Sequence, residues 1–278
     1  RSITGVNRTG TISQDYVTYS NAYQAYYFGN PSDNEVSLGS GDLTKGMMTL
    51  QDIPIQSADQ TLIFKFGYFK WFHNNSLTTG EGRTLINFNT EDPNGGYTFM
   101  LSFQYNNVGW FPILRLVEPD TKRSTFIYSN ADSIITSTGQ YNEFNGFITV
   151  AIVFEDGNIP KIYMSENATS ADGSNNIMIE HTTSVIINFN IDSNGNAVRD
   201  DASYLTLPPS SSTVYAELGA SYRYNETIGA NAKKYNGLSG YIQYVHWFDY
   251  AFTEDDINIV INDPELQGEP EPEPEPEP

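Results

Sequence analysis

Apolar and polar residues alternate in many short stretches of this chain, with turn-forming residues between them. Residues 97–105, 185–191 and 213–218 alternate as strands with one buried face do. Residues 146–154, GFITVAIVF, are apolar almost throughout, which predicts a buried core strand. Gly, Asn, Asp and Pro cluster between the stretches, as they do in hairpin turns. The pattern predicts an all-β fold, a two-sheet antiparallel β-sandwich.

A short helix is predicted near the C-terminal end of the strand series. Thr253 is a good N-cap, and the acidic residues 254–256 suit the first helical turn. Apolar positions recur over 257–261, and Asn-Asp-Pro at 262–264 ends the pattern. Further strands are predicted at 22–28, 36–38, 61–72, 84–88, 113–117, 124–128, 161–164 and 238–248.

Composition divides the chain into three parts. Residues 1–20 are polar and rich in Thr, and are predicted to form an N-terminal edge segment. Residues 21–266 hold the other strands and the helix, and are predicted to form one domain. Residues 267–278 end in Glu-Pro repeats, which favour an extended polyproline II spacer. This segment is predicted to tether the domain to further domains or to an assembly, and a solubilising tail is the alternative.

Charge and cysteine content exclude several classes of function. The net charge is −20, from 34 acidic and 14 basic residues, so a nucleic-acid partner is not expected. No apolar run is long enough to span a bilayer, so membrane insertion is not expected either. The chain has no Cys, which excludes disulfides and thiolate metal ligands.

Four stretches of the second half resemble laminin G-like domains of the concanavalin A-like lectin and glucanase superfamily. They are 146–154, 161–164, 216–220 and, most specifically, 240–257, where strand, turn and acidic helix follow the family's order. The Trp and His that usually precede the first of these motifs are absent. The resemblance implies a jelly roll with a short C-terminal helix, and its packing and turn motifs support the fold more than the function. We expect a larger surface or virion protein, and therefore an extracellular, cell-surface or virion surface location.

Members of this fold include lectins, adhesion modules, glycan-active enzymes and purely structural domains, so the residues must separate them. Glycanases of this fold usually carry closely spaced carboxylates on one strand, and no such strand is present here. Residues 68–70 and 243–246 loosely resemble lyase motifs, but the expected arginine-bearing strand is missing. We therefore expect a non-catalytic carbohydrate-binding or adhesion module. A polysaccharide hydrolase or lyase and a structural assembly domain are the alternatives.

Aromatic side chains near Gly- and Asn-rich turns are the candidates for stacking on sugar rings. Trp110, Tyr222, Tyr224 and Tyr235 meet this description. Packing within the sandwich is the alternative role for each of them.

A calcium site is predicted in the stretch 192–201, where oxygen-bearing side chains alternate along the chain. Asp192, Asn194, Asn196 and Asp200 are the candidate ligands. The stretch lacks the Gly and Glu positions of an EF-hand, and a solvated turn is the alternative.

Overall fold

A computed structural model shows two antiparallel β-sheets and one short helix, which confirms the predicted all-β jelly-roll sandwich. The residues that it describes are 11–12, 17–28, 48–54, 59–68, 82–90, 97–105, 109–117, 124–128, 135–136, 146–155, 158–165, 178–181, 185–191, 194, 196–199, 213–219 and 240–263. The predicted strand at 36–38 and the predicted spacer at 267–278 lie outside them.

The smaller sheet has seven strands in the order β13-β12-β11-β5-β17-β3-β2. Its strands are β2 (Val17–Ser20), β3 (Ala25–Phe28), β5 (Gln60–Gly67), β11 (Phe147–Phe154), β12 (Lys161–Ser165), β13 (Met178–His181) and β17 (Gly240–Phe248). Strands from both ends of the chain lie side by side in this order, because β17 pairs with β3 and β5.

The larger sheet has ten strands, in the order β1-β4-β16-β6-β7-β8-β9-β14-β15, with β10 paired to β8. These are β1 (Thr11–Ile12), β4 (Met48–Pro54), β6 (Gly82–Thr90), β7 (Tyr97–Tyr105), β8 (Gly109–Val117), β9 (Ser124–Tyr128), β10 (Ile135–Thr136), β14 (Val185–Ile191), β15 (Ala197–Arg199) and β16 (Thr213–Leu218). A run of antiparallel hairpins, β6 to β9, forms its centre.

The core lies between the two sheets. Ile148, Val150 and Ile152 project from one face of β11 and are buried, as is Phe64 on the neighbouring strand. Leu114 of the larger sheet is buried as well. We call this face of the smaller sheet its inner face and the opposite one its outer face.

Helix α1 (Glu254–Ile261) covers one end of the outer face. Ile257, Val260 and Ile261 pack with Ala151 and Val153 of β11 in one buried cluster. Because α1 covers its outer face, β11 is buried on both sides, and the predicted buried core strand is confirmed.

Thr253 caps the helix as predicted. Its hydroxyl accepts a hydrogen bond from the Asp256 backbone N–H at 3.2 Å, and the Asp256 carboxylate accepts one from the Thr253 N–H at 2.9 Å. This reciprocal capping box satisfies two of the backbone donors that a helix start leaves free.

Candidate functional site

A row of aromatic residues crosses the outer face of the smaller sheet, beyond the end that α1 covers. Tyr27 of β3 lies opposite Tyr241 of β17, which lies opposite Gly67 of β5, which in turn lies opposite Phe147 of β11. Directly opposed residues of antiparallel strands project from the same face. The row therefore places three aromatic side chains on the outer face, with a glycine between the second and the third.

Two more tyrosines bridge the glycine position. The ring of Tyr23, from the turn between β2 and β3, lies 4.7 Å from that of Tyr68 and 4.8 Å from that of Tyr241. The Tyr68 ring lies 5.2 Å from that of Phe147, and Tyr27 lies 4.9 Å from Tyr241. These centroid distances are those of contacting rings. We call Tyr23, Tyr27, Tyr68, Phe147 and Tyr241 the tyrosine platform.

Gly67 permits the close approach of strands on which the platform depends. A Cβ at this position would lie 2.7 Å from the Phe147 Cα and would collide with the carbonyl oxygen of Gly146. The same carbonyl accepts a hydrogen bond of 2.8 Å from the Tyr68 backbone N–H. Glycine is therefore required at 67, and the contact that requires it also fixes the backbone that carries Tyr68.

Backbone strain is concentrated at the platform. Gln24 and Tyr68 have φ angles of 46° and 44°, and they are the two non-glycine residues with positive φ in the described part of the chain. A bulky residue in this region costs about 1–2 kcal/mol. Tyr68 belongs to the platform and Gln24 follows Tyr23 directly. Strained residues of this kind cluster at functional sites, because surrounding structure has to hold them there.

All five platform side chains are half-buried, so each contacts the protein and still presents surface to solvent. A tyrosine in this position offers an apolar ring and a hydroxyl that both donates and accepts hydrogen bonds. The arrangement is chemically suited to a ligand that has apolar faces and hydroxyl groups at its rim.

The surroundings of Tyr241 disfavour the charged form of its phenol. Burial raises the pKa of Tyr241 above its ordinary value, and the neighbouring Tyr23 and Tyr27 raise it further. A hydrogen bond with the Ser20 side chain acts in the opposite direction and lowers this pKa. A neutral phenol keeps its O–H available as a donor at physiological pH.

A β-bulge in β17 supports the turn that carries Tyr23. The pairing register of β17 with β5 shifts between Ile242 and Tyr244, which leaves Gln243 as the extra residue. Its side-chain Nε2 donates to the backbone carbonyl of Tyr23 at 3.4 Å. The bulge thus ties the C-terminal strand to the N-terminal turn.

Tyr244 and Lys65 lie between the platform and the cluster under α1. The pKa of Tyr244 is raised to about 12, mainly by burial and against a hydrogen bond with Thr149. Its ring stacks on that of His246 at 4.6 Å. The Lys65 ammonium lies 5.8 Å from the centre of the Phe147 ring, within cation–π range.

The residues predicted from sequence for sugar stacking are not part of the platform where the structure describes them. Trp110 lies in β8 of the larger sheet, opposite Tyr105 and Ile135 in the register. The remaining three, Tyr222, Tyr224 and Tyr235, lie outside the described residues. A role for these four in sugar binding stays a prediction.

The predicted calcium stretch includes a strand and a tight connection. β15 occupies 197–199 and pairs with β14, so Asn194 and Asn196 lie between the two strands, both exposed. Asp192 and Asp200 lie outside the described residues. Within the described ranges, no group of three or more His, Cys, Asp or Glu side chains could hold a metal ion.

A compositional signal for the platform is present in the sequence, and it differs from the turn pattern that predicted Trp110, Tyr222, Tyr224 and Tyr235. Residues 16–32 contain no charged residue, in a chain with a net charge of −20, and include five tyrosines. Tyr23 and Tyr27 belong to this run.

In the described part of the chain, no helix is long and apolar enough to cross a membrane.

No protein-family model and no curated protein matches the chain. Among solved structures it is similar to an alginate lyase from Pseudomonas aeruginosa, with 9% identity, 85% of this chain and 87% of that one covered, and a TM-score of 0.42. It is also similar to a winged bean acidic lectin, with 10% identity, 84% of this chain and 89% of the lectin covered, and a TM-score of 0.33. A third similar structure is the binding domain of botulinum neurotoxin serotype G, with 12% identity and a TM-score of 0.45. The match covers 93% of this chain and 47% of that domain, so this chain spans about half of it. These values assign no family, and the laminin G-like resemblance stays a prediction.

Proposed function

We propose that this chain is a non-catalytic carbohydrate-binding or adhesion module that seats sugar rings on the tyrosine platform. The observation that carries the proposal is the contiguous, half-exposed cluster of four tyrosines and one phenylalanine on the outer face. The C–H faces of a pyranose ring are apolar and its rim carries hydroxyls, which matches what tyrosine side chains offer.

The strain at the platform supports a binding role over simple packing. Simple packing requires no positive φ angle, because leucine or valine on an unstrained backbone would fill the same space. Here Gln24 and Tyr68 hold a costly backbone conformation beside rings that stay half-exposed. Rings fixed in advance lose little conformational freedom when a ligand binds, which improves affinity.

The proposal is tested in two stages. A glycan array identifies an oligosaccharide ligand, and titration calorimetry then measures its affinity in solution for the wild type and for Tyr241→Ala. We expect the variant to bind at least tenfold more weakly, a loss of about 1.4 kcal/mol. Tyr241→Phe keeps the ring and removes the hydroxyl, and so separates stacking from hydrogen bonding.

A matched control comes from the same hairpin. Tyr19→Ala removes an exposed tyrosine of β2 that projects from the inner face, because Tyr19 lies opposite Tyr26 and Tyr26 opposite Ile242. This variant should bind the free oligosaccharide as the wild type does. Equal affinity of Tyr241→Ala and wild type would refute the platform. Depolymerisation of the polysaccharide by the purified chain would replace the binding module with an enzyme.

We further propose that calcium binds at Asp192, Asn194, Asn196 and Asp200. The oxygen-rich sequence and the exposure of Asn194 and Asn196 support this proposal. Calcium bound only to the folded state would raise the melting temperature, by about 2.7 kcal/mol of stability at a hundredfold excess over Kd. The double variant Asp192→Ala, Asp200→Ala should lose this gain. A melting curve that millimolar calcium leaves unmoved would refute the site.

An extracellular, cell-surface or virion surface location is part of the same proposal, with a tether formed by 267–278. The Glu-Pro repeats support the tether, and the location is inferred from the proposed binding of surface glycans. Removal of 267–278 should leave the melting temperature unchanged. A fall of several degrees would show that the segment packs on the domain instead.

A further inference from the structure

The hairpin β2–β3 forms one edge of the smaller sheet. Among the described strands β2 pairs with β3 alone, and it stands last in the strand order. Edge strands usually carry charged residues, proline or bulges that prevent pairing with another chain. The run 16–32 has no charge, the paired strands show no register shift, and neither strand contains proline.

The hairpin also exposes aromatic surface on its inner face. Tyr19 is 53% exposed and Tyr26 is 39% exposed, and their rings pack edge to face at 5.1 Å. They are two of four large hydrophobic residues that are exposed in the described part of the chain; Val198 and Ile259 are the others. At this edge the inner face therefore leaves aromatic surface uncovered, although its central residues are buried.

We propose that this edge pairs with the same edge of a second copy of the chain, and joins two seven-stranded sheets into one. An antiparallel edge is self-complementary, so a two-fold axis brings identical strands together without any second surface. The absence of charge makes this edge a place where a second copy of so acidic a chain can approach. Two copies with a net charge of −20 each repel, and the uncharged run lets their backbones meet without apposed carboxylates.

The geometry restricts the register. A two-fold axis perpendicular to the sheet keeps each face on its own side, so a residue can pair only with one of the same orientation. Because β2 has four residues, the axes that pair most of them pass through Thr18 or through Tyr19. In both cases the two Tyr19–Tyr26 pairs lie on one face, opposite or diagonal to each other, within reach of aromatic side chains.

The strand is short, with four residues, so the dimer should be weak. Interfaces under about 1,000 Å² are weak or transient. Repulsion between the two acidic chains weakens the dimer further and is screened by salt, with a Debye length near 3 Å at 1 M. We therefore expect association to rise with both protein and salt concentration, which is opposite to the salt dependence of an interface held by ion pairs.

The absence of Cys from the chain allows a clean test, because any introduced Cys is the only one. Thr18→Cys and Tyr19→Cys should form a disulfide-linked dimer under mild oxidation, and the faster of the two reports which residue lies on the axis. Ile259→Cys is the matched control, since Ile259 is exposed on α1 and far from this edge in the strand order. It should cross-link much more slowly.

Sedimentation velocity tests the unmodified contact. The wild type should associate in high salt, and Tyr19→Lys or Thr18→Lys should remain monomeric, whereas Ile259→Lys should associate as the wild type does. Two lysine variants are used because, if one of them fails to fold, the other still tests the contact. A monomeric wild type at every concentration and salt, or equal cross-linking at 18, 19 and 259, would overturn the proposal. Neither result bears on the binding of a free oligosaccharide to the tyrosine platform.

Discussion

Thr61 joins the smaller sheet to the segment that leads into α1, and its replacement by valine tests how that segment is held. The side chain is fully buried in β5. Its hydroxyl donates to the carbonyl of Tyr250 and accepts from the N–H of Phe252, both at 2.9 Å. Thr61→Val keeps the shape, the β-branching and the burial of the side chain while it removes both hydrogen bonds.

The cost follows from the groups left behind. The Phe252 N–H is buried and would lose its acceptor, at a cost of about 1–3 kcal/mol. The Tyr250 carbonyl is only partly buried, so water can offset most of its loss. We expect Thr61→Val to lower the free energy of unfolding by about 2–3 kcal/mol. Thr61→Ser keeps the hydroxyl and should lose about 0.8 kcal/mol for the missing methyl group.

Urea unfolding followed by tryptophan fluorescence gives the comparison, provided that the m values of the three proteins agree. Arguments from hydrophobicity or strand propensity alone predict the opposite order, since valine is more apolar and favours strands at least as strongly. A Thr61→Val protein as stable as the wild type, or more stable than Thr61→Ser, would refute the role of the two hydrogen bonds.

Three further predictions concern the platform and its surroundings. Gly67→Ala should lower stability by about 1–3 kcal/mol, measured by urea unfolding, and weaken glycan binding, because its Cβ would displace Gly146 and Phe147; unchanged affinity would contradict the close approach. Gln24→Gly should raise stability by about 0.5–1 kcal/mol, since it relieves a positive φ, yet weaken glycan binding by freeing the turn of Tyr23. The pKa of Tyr244 is about 12 in the folded chain and 10.0 ordinarily, so unfolding releases its proton between these pH values. The free energy of unfolding should therefore fall as pH rises from 10 to 12. In alkaline melting curves, Tyr244→Phe should lose less stability over this range than the wild type.

Much of the fold could be predicted from local patterns. The structure places β7, β9, β14 and β16 at the predicted bounds, since turn residues interrupt their alternation at both ends. β4 and β13 were missed. Their sequences, MTLQDIP and MIEH, carry polar residues and little alternation. These segments become strands because β16 and β12 pair with them, and strand formation depends strongly on such tertiary context.

The platform could not be derived in the same way. Its row joins residues 27, 67, 147 and 241 from four strands, and this row exists only through the order β3-β17-β5-β11. No local pattern specifies which distant strands become neighbours, or that Gly67 falls between Tyr241 and Phe147. The tyrosine-rich uncharged run was visible in the sequence, but its position on the outer face was not.

The two proposals meet in one consequence for binding to surfaces. A two-fold axis perpendicular to the smaller sheet points both tyrosine platforms in the same direction, so a dimer could engage two glycans on one surface. The second contact then forms at a high effective concentration and can raise avidity by about 10²–10⁴ without any new interaction. At the protein and salt concentrations that favour the dimer, we therefore expect the wild type to bind an immobilised glycan far more tightly than the free oligosaccharide. Tyr19→Lys should lose this difference and keep its affinity for the free sugar, whereas Tyr241→Ala should lose both. If the immobilised glycan retained Tyr19→Lys as strongly as it retains the wild type, the proposed link between the edge and the platform would be wrong.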